Sequence, residues 1–292
     1  MTERLCDEVR SACTRIASGA QSVSIDLDAL EDVRPGPPPE LDPVRHYVDG
    51  PAPAVASYFL TLDTVNFGSG WFPTLRKRPG SSGYFTVAWA LADRFRADGP
   101  WTPAQLRAMR TEEIADTLGQ ARDHELMALY AQALRALGRF LGARDAIEIV
   151  RRAGGSAEAL ATQLARGMAL VADRGFYKRA QIAAANLALA GVARFGDLHR
   201  LTIFADNLVP HVLRCDGVLR YDERLAAHID AGLLLPAGRQ EREIRACAVR
   251  ACELIAARAG TTEHELDNWL WSRGQAPEYK ARPRHRTRSV YY

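Results

Sequence analysis

The spacing of apolar residues constrains the fold most strongly, because they recur every three to four positions over most of the chain. Such spacing places apolar side chains on one face of an α-helix. One clear stripe is formed by Leu126, Leu129, Ala133, Leu137 and Leu141. Alternation typical of a strand is found only over residues 23–27, and no repeat of fixed period is present. The sequence therefore predicts an all-α fold of many helices, with short strands at most.

Capping signals predict where several helices begin and end. Gly119 and Gly260 follow apolar helical patterns and should end two helices. Thr262 and Glu265 have the spacing of a capping box, which should begin another. Pro210 is expected to distort the helix in which it lies. Further helices are predicted over residues 1–20, 51–66 and 160–171.

The length of 292 residues is compatible with one large helical domain or with two average domains. We expect a single domain over residues 1–292, with a possible N-terminal subdomain over residues 1–83 and a helical core over residues 84–292. No apolar run reaches the roughly 18 to 20 residues that span a bilayer. The N-terminus carries acidic residues where a secretory signal has a basic start, so we expect a cytoplasmic protein.

The cysteines and histidines show no pattern of a metal site. None of the five cysteines belongs to a Cys-x-x-Cys pair, and the seven histidines show no His-Glu-x-x-His spacing. An odd, sparse set of cysteines favours small buried thiols in a reducing compartment over disulfides. The sequence therefore predicts neither a metal nor another cofactor.

Positive charge is concentrated near the C-terminal end of the sequence. The net charge is +3, yet residues 280–288 contain five basic side chains, so the remainder carries −2. A disordered tail is the usual interpretation of such a run. The residues that follow, Ser289-Val-Tyr-Tyr292, are instead typical of a segment that docks on the fold. Ordered arginines would suit a phosphate, which guanidinium groups bind in a bidentate manner.

An aromatic loop over residues 62–73 has the composition of a binding segment. Its aromatic residues lie among glycines and lack the periodicity of a helical core. They would suit stacking on a flat ring, with Asp63 and Asn66 hydrogen-bonded to the edge of that ring. The alternative is that these aromatic side chains simply fill the core.

Two charged residues occur in strongly apolar surroundings. Lys178 opens a helix of small residues, and Asp206 interrupts the apolar run over residues 201–210. Burial would raise the proton affinity of such a carboxylate unless a cation held it ionised, and Lys178 is a candidate for that cation. The alternative is that Asp206 caps a helix beginning at Asn207.

Several motifs occur in an order that is found in one known family. The most specific are Tyr177-Lys-Arg-Ala-Gln-Ile182 and His285-Arg-x-Arg-x-x-Tyr-Tyr292. The others are Asp63-Thr-Val-Asn-Phe67, Phe204-Ala-Asp206 with Val209-Pro210, Arg239-Gln-Glu-x-Glu-Ile-Arg245 and Leu270-Trp271. Over roughly residues 46 to 292 the chain resembles the queuosine salvage proteins, the queuosine 5′-phosphate N-glycosylase/hydrolases.

The resemblance implies an all-helical fold similar to the helix-hairpin-helix DNA glycosylases. It also implies hydrolysis of the N-glycosidic bond of queuosine 5′-phosphate, which releases queuine for tRNA modification together with ribose 5-phosphate. Asp206 would be the catalytic carboxylate, acting on an oxocarbenium-like sugar either electrostatically or as a nucleophile, and Lys178 would be catalytic by stabilising Asp206 or by acting on the sugar.

The resemblance further implies a set of binding residues. Those assigned to the base are His46, Phe204, Asp206, Asp267 and Asn268, with Asp63, Asn66 and Phe67 as neighbours. Those assigned to the 5′-phosphate are Lys178, Arg286 and Arg288. We expect a small-molecule substrate, no membrane and no stable nucleic-acid complex.

The alternative is a non-catalytic helical protein that binds nucleic acid through its basic tail. The negative charge of the remaining chain argues against it, because nucleic-acid binding depends on extended positive surfaces.

Overall fold

The computed structural model describes residues 4–292, which form fifteen α-helices and two three-residue strands. The all-α prediction is confirmed; the first three residues of the predicted N-terminal helix lie outside the described residues. The helices are α1 (Leu5–Ser18), α2 (Leu27–Glu31), α3 (Ala52–Thr64), α4 (Gly83–Asp98), α5 (Pro103–Arg107), α6 (Thr111–Leu118), α7 (Glu125–Leu141), α8 (Ala146–Arg152), α9 (Ala157–Gly167), α10 (Lys178–Leu189), α11 (Val209–Cys215), α12 (Glu223–Asp230), α13 (Arg239–Ala259), α14 (Glu263–Arg273) and α15 (Pro277–Lys280).

The predicted helix boundaries are confirmed where capping chemistry defines them. Gly119 and Gly260 end α6 and α13 in the left-handed region, with φ of 64° and 67°, where a glycine has no Cβ to clash. Thr262 and Glu265 form the expected capping box at the start of α14.

Two predictions about helix continuity are wrong. The stripe over residues 160–171 is not one helix, because α9 ends at Gly167 and Met168 is extended before a short 3₁₀ turn. Gly167 weakens the helix there and lies directly against the ring of Phe140. Pro210 does not distort a helix. It lies in the first turn of α11, where its missing N–H would have had no helical partner.

The strand prediction is confirmed only in part. Strand β1 (Val23–Ile25) pairs in antiparallel register with β2 (Leu219–Tyr221), so that Val23 lies opposite Tyr221. Leu27 belongs to α2 and not to the strand. Strand β2 was not predicted, because three residues are too few to show alternation.

The hydrophobic core is organised around the 21-residue helix α13, which contacts α1, α11 and α14. Helix α3 packs against α7, α8 and α10. The proposed boundary near residue 83 stays a prediction. All five cysteines are free, and four of them are buried, as predicted for thiols that act as small apolar groups: Cys6, Cys13, Cys247 and Cys252.

The C-terminal segment docks on the fold, as its two tyrosines predicted. Tyr292 is 2% exposed, and its main-chain oxygen accepts a hydrogen bond of 3.0 Å from the Gly68 N–H. Arg179 donates a hydrogen bond of 2.6 Å to the carbonyl oxygen of Val290. A Cβ on Gly70 would lie 2.6 Å from the carbonyl carbon of Thr287, so this approach of two main chains requires glycine. Within residues 4–292 no helix is long and apolar enough to cross a membrane.

Candidate functional site

A cavity of about 480 Å³ brings together segments from across the whole sequence. Its volume lies in the range of sites for small molecules. Its walls come from residues 39–46, the loop after α3, the start of α4, one face along the length of α10, residues 204–208, α14 and the C-terminal segment. Eight of the predicted site residues line it: His46, Asn66, Phe67, Lys178, Phe204, Asp206, Asp267 and Asn268.

Asp206 lines the cavity and also caps the start of α11. Its Oδ1 accepts a hydrogen bond of 2.7 Å from the N–H of Leu208 and a longer one of 3.4 Å from Val209. The helix begins at Val209, two residues after the position expected for a simple cap. The two interpretations of this residue are therefore compatible: main-chain donors fix one oxygen, and the carboxylate is presented to the cavity.

Lys178 is held at the first position of α10 by an unusual main-chain conformation. The preceding Tyr177 has φ of 50°, in the left-handed region that bulky residues rarely adopt. The Lys178 side chain is 3% exposed, and its Nζ donates a hydrogen bond of 3.0 Å to the carbonyl oxygen of Asn66. Burial lowers the pKa of Lys178, while the charges of Asp206 and Asp63 oppose that shift.

Lys178 and Asp206 form no ion pair within 4 Å, so the direct pairing suggested by the sequence is absent between these described residues. The two groups act on each other through the low dielectric of the cavity wall. The Lys178 ammonium group therefore holds the Asn66 loop through its hydrogen bond, and its positive charge remains close to the cavity.

The polar residues of α10 explain why a charged motif lies inside the core. The Arg179 guanidinium donates to the carbonyl oxygen of Thr64 and stacks 4.6 Å from the centroid of the Phe67 ring. Gln181 donates 2.9 Å hydrogen bonds to the Phe176 carbonyl oxygen and the Thr202 hydroxyl. These side chains satisfy main-chain groups of the loops that form the cavity, so the helix fixes the shape of the site.

Asp63 does not line the cavity but lies directly behind its wall. Both of its carboxylate oxygens accept 3.0 Å hydrogen bonds from Asn186 on α10, and Oδ1 accepts a 3.3 Å bond from Asn66. Burial raises the pKa of Asp63 to about 6, and the two amide donors act against the rise. The predicted neighbour of the base is therefore a residue that positions Asn66.

Asp267 on α14 faces the cavity together with Phe204. Its Oδ1 accepts a hydrogen bond of 2.8 Å from the N–H of Phe204. Burial and the nearby charge of Asp206 raise the pKa of Asp267 to about 8, against the opposing effects of that N–H and of Lys178. At neutral pH this carboxyl group therefore keeps its proton and can donate a hydrogen bond to a ligand.

An aromatic wall beside Asp267 was not predicted. Trp271 lies one helical turn after Asp267, with ring centroids 5.4 Å from both Tyr84 and Phe85. The Tyr84 hydroxyl is 3.1 Å from Nε2 of His46, whose pKa is lowered by burial. The spacing of Asp267 and Trp271, four residues apart on one helix, was the available signal, since such residues share a face.

The assignment of Arg286 and Arg288 to a phosphate is corrected by their positions. Neither lines the cavity. Arg286 donates to the carbonyl oxygen of Gly232, and Arg288 lies 3.2 Å from Glu125 on the other side of the docked segment. In this extended segment alternate side chains are buried, and the arginine that lines the cavity is instead Arg284.

A buried arginine supports the Asp206 loop from behind. Arg245 on α13 donates a 2.8 Å hydrogen bond to the carbonyl oxygen of Ala205, which immediately precedes Asp206. It is ion-paired with Asp173 and Glu241. The signal for Arg245 in the sequence was a charged residue within the apolar stripe of a long helix. Its role could not be predicted, because the sequence does not show which loop packs against that helix.

Over residues 4–292 there is no group of three or more histidine, cysteine or acidic side chains placed to hold a metal ion. The side chains that line the cavity offer carboxyl groups, cationic groups and aromatic rings.

Comparison with known proteins identifies the family to which the chain belongs. A family model described as queuosine salvage protein matches residues 46–292. A relative from Sphaerobacter thermophilus, named queuosine 5′-phosphate N-glycosylase/hydrolase, is 33% identical over 97% of each chain. Relatives of the same name from Nematostella vectensis and Dictyostelium discoideum are 27% identical over 82% of each chain and 37% identical over 40% of each chain, respectively. With the family model covering most of its length, the chain belongs to the queuosine salvage protein family.

Proposed function

We propose that this protein hydrolyses the N-glycosidic bond of queuosine 5′-phosphate to release queuine and ribose 5-phosphate. The observation that carries the proposal is one cavity in which the carboxyl groups of Asp206 and Asp267 meet an aromatic wall. The Sphaerobacter relative, which carries this activity in its name, aligns over almost the entire chain and supports the same reaction.

The aromatic wall suits the flat base of such a substrate. Phe204, Trp271 and Asn268 all line the cavity, and Asn268 brings a side-chain amide there. Stacking on aromatic rings recognises the plane of a base, whereas hydrogen bonds to its edge select its identity. Both ring nitrogens of His46 are already paired within the protein, Nδ1 with the Asp42 carbonyl oxygen and Nε2 with the Tyr84 hydroxyl, each at 3.1 Å, so this residue holds the wall in place.

Asp206 supplies the negative charge that this reaction needs. When the bond between C1′ and the base nitrogen breaks, its electron pair leaves with the base and the sugar becomes oxocarbenium-like. A carboxylate fixed beside the cavity stabilises that positive charge more in the transition state than in the ground state. The oxygen of a water molecule then bonds to C1′, and the proton that this water loses ends on the departed base, which is released as neutral queuine.

Asp267 is the group placed to assist the departing base. Queuine is a 7-deazapurine and has no N7 to protonate, so the leaving base must be stabilised at its other polar positions. A carboxyl group with a pKa of about 8 donates a hydrogen bond at neutral pH without a charge that would repel the leaving electrons. In this scheme the negative Asp206 and the neutral Asp267 have distinct roles because their surroundings differ.

Three expectations from the sequence remain part of the proposal. The likeness to the helix-hairpin-helix DNA glycosylases fits a base-binding cavity between helices. A cytoplasmic location fits five free cysteines. The absence of a stable nucleic-acid complex fits a C-terminal segment whose arginines contact the protein itself.

The direct experiment is incubation of the purified chain with queuosine 5′-phosphate, followed by mass spectrometry for free queuine. We expect stoichiometric queuine and ribose 5-phosphate. A parallel incubation with guanosine 5′-phosphate controls for a nonspecific nucleosidase and should release no guanine. If the wild-type protein binds queuine but leaves queuosine 5′-phosphate intact, the proposed reaction is wrong.

A further inference from the structure

Four cationic side chains line the cavity: Arg45, Lys178, Lys280 and Arg284. They differ in whether other residues of the protein already provide hydrogen-bond or ion-pair partners for them. Arg45 is ion-paired with Asp42 at 3.2 Å, and Lys178 donates to the Asn66 carbonyl oxygen. Lys280 is exposed to solvent. Arg284 is partly buried and has no hydrogen bond or ion pair with any residue in the described range 4–292.

Arg284 is held in place by its neighbours. The next residue, His285, is 1% exposed and packs 6.4 Å from the Tyr292 ring. The His285 carbonyl oxygen accepts a 3.2 Å hydrogen bond from the side-chain amide of Asn207, the residue that follows Asp206. The guanidinium is therefore presented by an ordered main chain that is tied directly to the loop carrying the catalytic carboxylate.

The electrostatic surroundings show that this cation is incompletely compensated. Burial lowers the pKa of Arg284, the charge of Asp206 opposes the shift, and Arg286 adds to it. A partly desolvated guanidinium without an acceptor is unfavourable in the free protein, since five N–H donors lose water and gain no partner. An anion entering the cavity would supply the missing acceptors.

We propose that Arg284 binds the 5′-phosphate of the substrate and thereby makes the protein selective for the nucleotide over the unphosphorylated nucleoside. The inference rests on the proposed function. The phosphate is the only anionic group of that substrate, and guanidinium forks bind phosphate oxygens in a bidentate manner. The hydrogen bond from Asn207 to the His285 carbonyl oxygen joins the segment of Arg284 to the loop of Asp206. Binding of the phosphate by Arg284 therefore aligns C1′ with the Asp206 carboxylate.

The test compares Arg284→Gln with Arg288→Gln on two substrates. Arg288 belongs to the same segment and was a sequence-based candidate, but its side chain is 48% exposed and lies outside the cavity. We expect Arg284→Gln to lower kcat/KM for queuosine 5′-phosphate by about 10- to 150-fold, the range for losing a hydrogen bond to a charged group. The value for queuosine should change less than about threefold, and Arg288→Gln should change neither.

A binding measurement separates this inference from the reaction itself. Ribose 5-phosphate should raise the Tm of the wild-type protein more than ribose does, and Arg284→Gln should abolish that difference while Arg284→Lys keeps part of it. Equal losses on both substrates, or a ribose 5-phosphate shift that persists in Arg284→Gln, would overturn the assignment. Failure of the wild-type protein to release queuine from either substrate would overturn the proposed function instead.

Discussion

Asp206 meets the requirements of a charge-stabilising carboxylate through two separate contacts. Hydrogen bonds from Leu208 and Val209 hold one oxygen, and Arg245 holds the preceding carbonyl group of Ala205. Preorganisation of this kind matters because a fixed charge need not reorient during the reaction. The pKa of the neighbouring Asp267 is raised because this carboxyl group is buried and lies close to the charge of Asp206.

Asp206→Asn should lower kcat by about 100-fold or more, the usual effect of removing one transition-state stabiliser. The amide oxygen can still accept the hydrogen bond from Leu208, so the loop and the affinity for queuine should be retained. Single-turnover kinetics and queuine titration measure the two properties. Asp116→Asn is a matched control, because Asp116 forms a surface ion pair with Arg122. A rate within about threefold of wild type would remove Asp206 from catalysis.

The pKa of Asp267 predicts a pH dependence. Activity that requires the protonated carboxyl should fall about tenfold between pH 7 and pH 9, as the group titrates through its pKa of about 8. Because burial raises this pKa above the ordinary 3.8, the folded protein binds the proton more tightly. The contribution of Asp267 to stability therefore declines as the pH rises from about 4 to about 8.

Asp267→Asn tests that dependence. An amide retains an oxygen for the Phe204 N–H and a donor for the base, so queuine affinity should persist while the decline at high pH disappears. The measurement is kcat/KM from about pH 6 to about pH 9.5 for both proteins. If kcat/KM of the variant still declines at high pH, the titrating group is instead Lys178, whose pKa is lowered by burial.

At the scale of elements, α10 and the C-terminal segment form the site together. Lys178, Arg179 and Asn186 on α10 all donate hydrogen bonds to the last turn of α3 or to the loop that follows it. Arg179 also reaches the Val290 carbonyl oxygen, and Tyr292 lies 4.4 Å from the Arg245 guanidinium. The docked segment is therefore a wall of the cavity, and its loss should affect folding and activity together.

Tyr292→Ala should reduce the free energy of unfolding by about 3 kcal/mol, as expected for truncating a buried aromatic side chain. Activity should also fall, because Tyr292 lines the cavity and packs against His285. The comparison is Tyr291→Ala, whose side chain is 38% exposed and should change stability by less than about 0.5 kcal/mol. Denaturant titration distinguishes the two variants. Equal stability for both would mean that the segment is not anchored by Tyr292.

At the scale of the whole molecule, the distribution of charge argues for a small anionic ligand. Most arginines of the basic C-terminal run already have partners within the protein. Arg282 lies near Asp230, Arg286 donates to the Gly232 carbonyl oxygen and Arg288 pairs with Glu125. The rest of the chain has a net charge of −2, obtained by subtracting the five basic residues of the run from the total of +3. A polyanion would therefore meet little uncompensated positive surface.

Filter binding of tRNA tests this prediction. Affinity should be no better than about 10⁻⁵ M at moderate salt, the range of nonspecific electrostatic binding. Measurements at about 50 mM and about 200 mM salt would reveal a steep loss if several phosphates were contacted. Tight retention that depends steeply on salt would support the alternative of a nucleic-acid-binding protein.

Local patterns in the chain were sufficient to predict the helical class, several helix ends and the docking of the C-terminal segment, although only Tyr292 of its two tyrosines is buried. These properties depend on residues close in sequence, such as the capping pair Thr262 and Glu265. Asp206, Lys178 and Asp267 were also identified as candidate site residues before their positions were known. Their shared cavity follows from contacts between distant segments, such as α10 against α3 and α11 against α14.

Long-range packing decided the features that local patterns missed. Arg284, Arg286 and Arg288 are chemically alike and close in sequence, yet only the first lines the cavity. All three alternate with the buried His285 and Thr287, so they differ only in the surface that each one reaches: Gly232 for Arg286, Glu125 for Arg288 and the cavity for Arg284. The pKa of a carboxyl group likewise depends on burial and on neighbouring charges from distant segments, so the raised pKa of Asp267 arises only when the chain is folded.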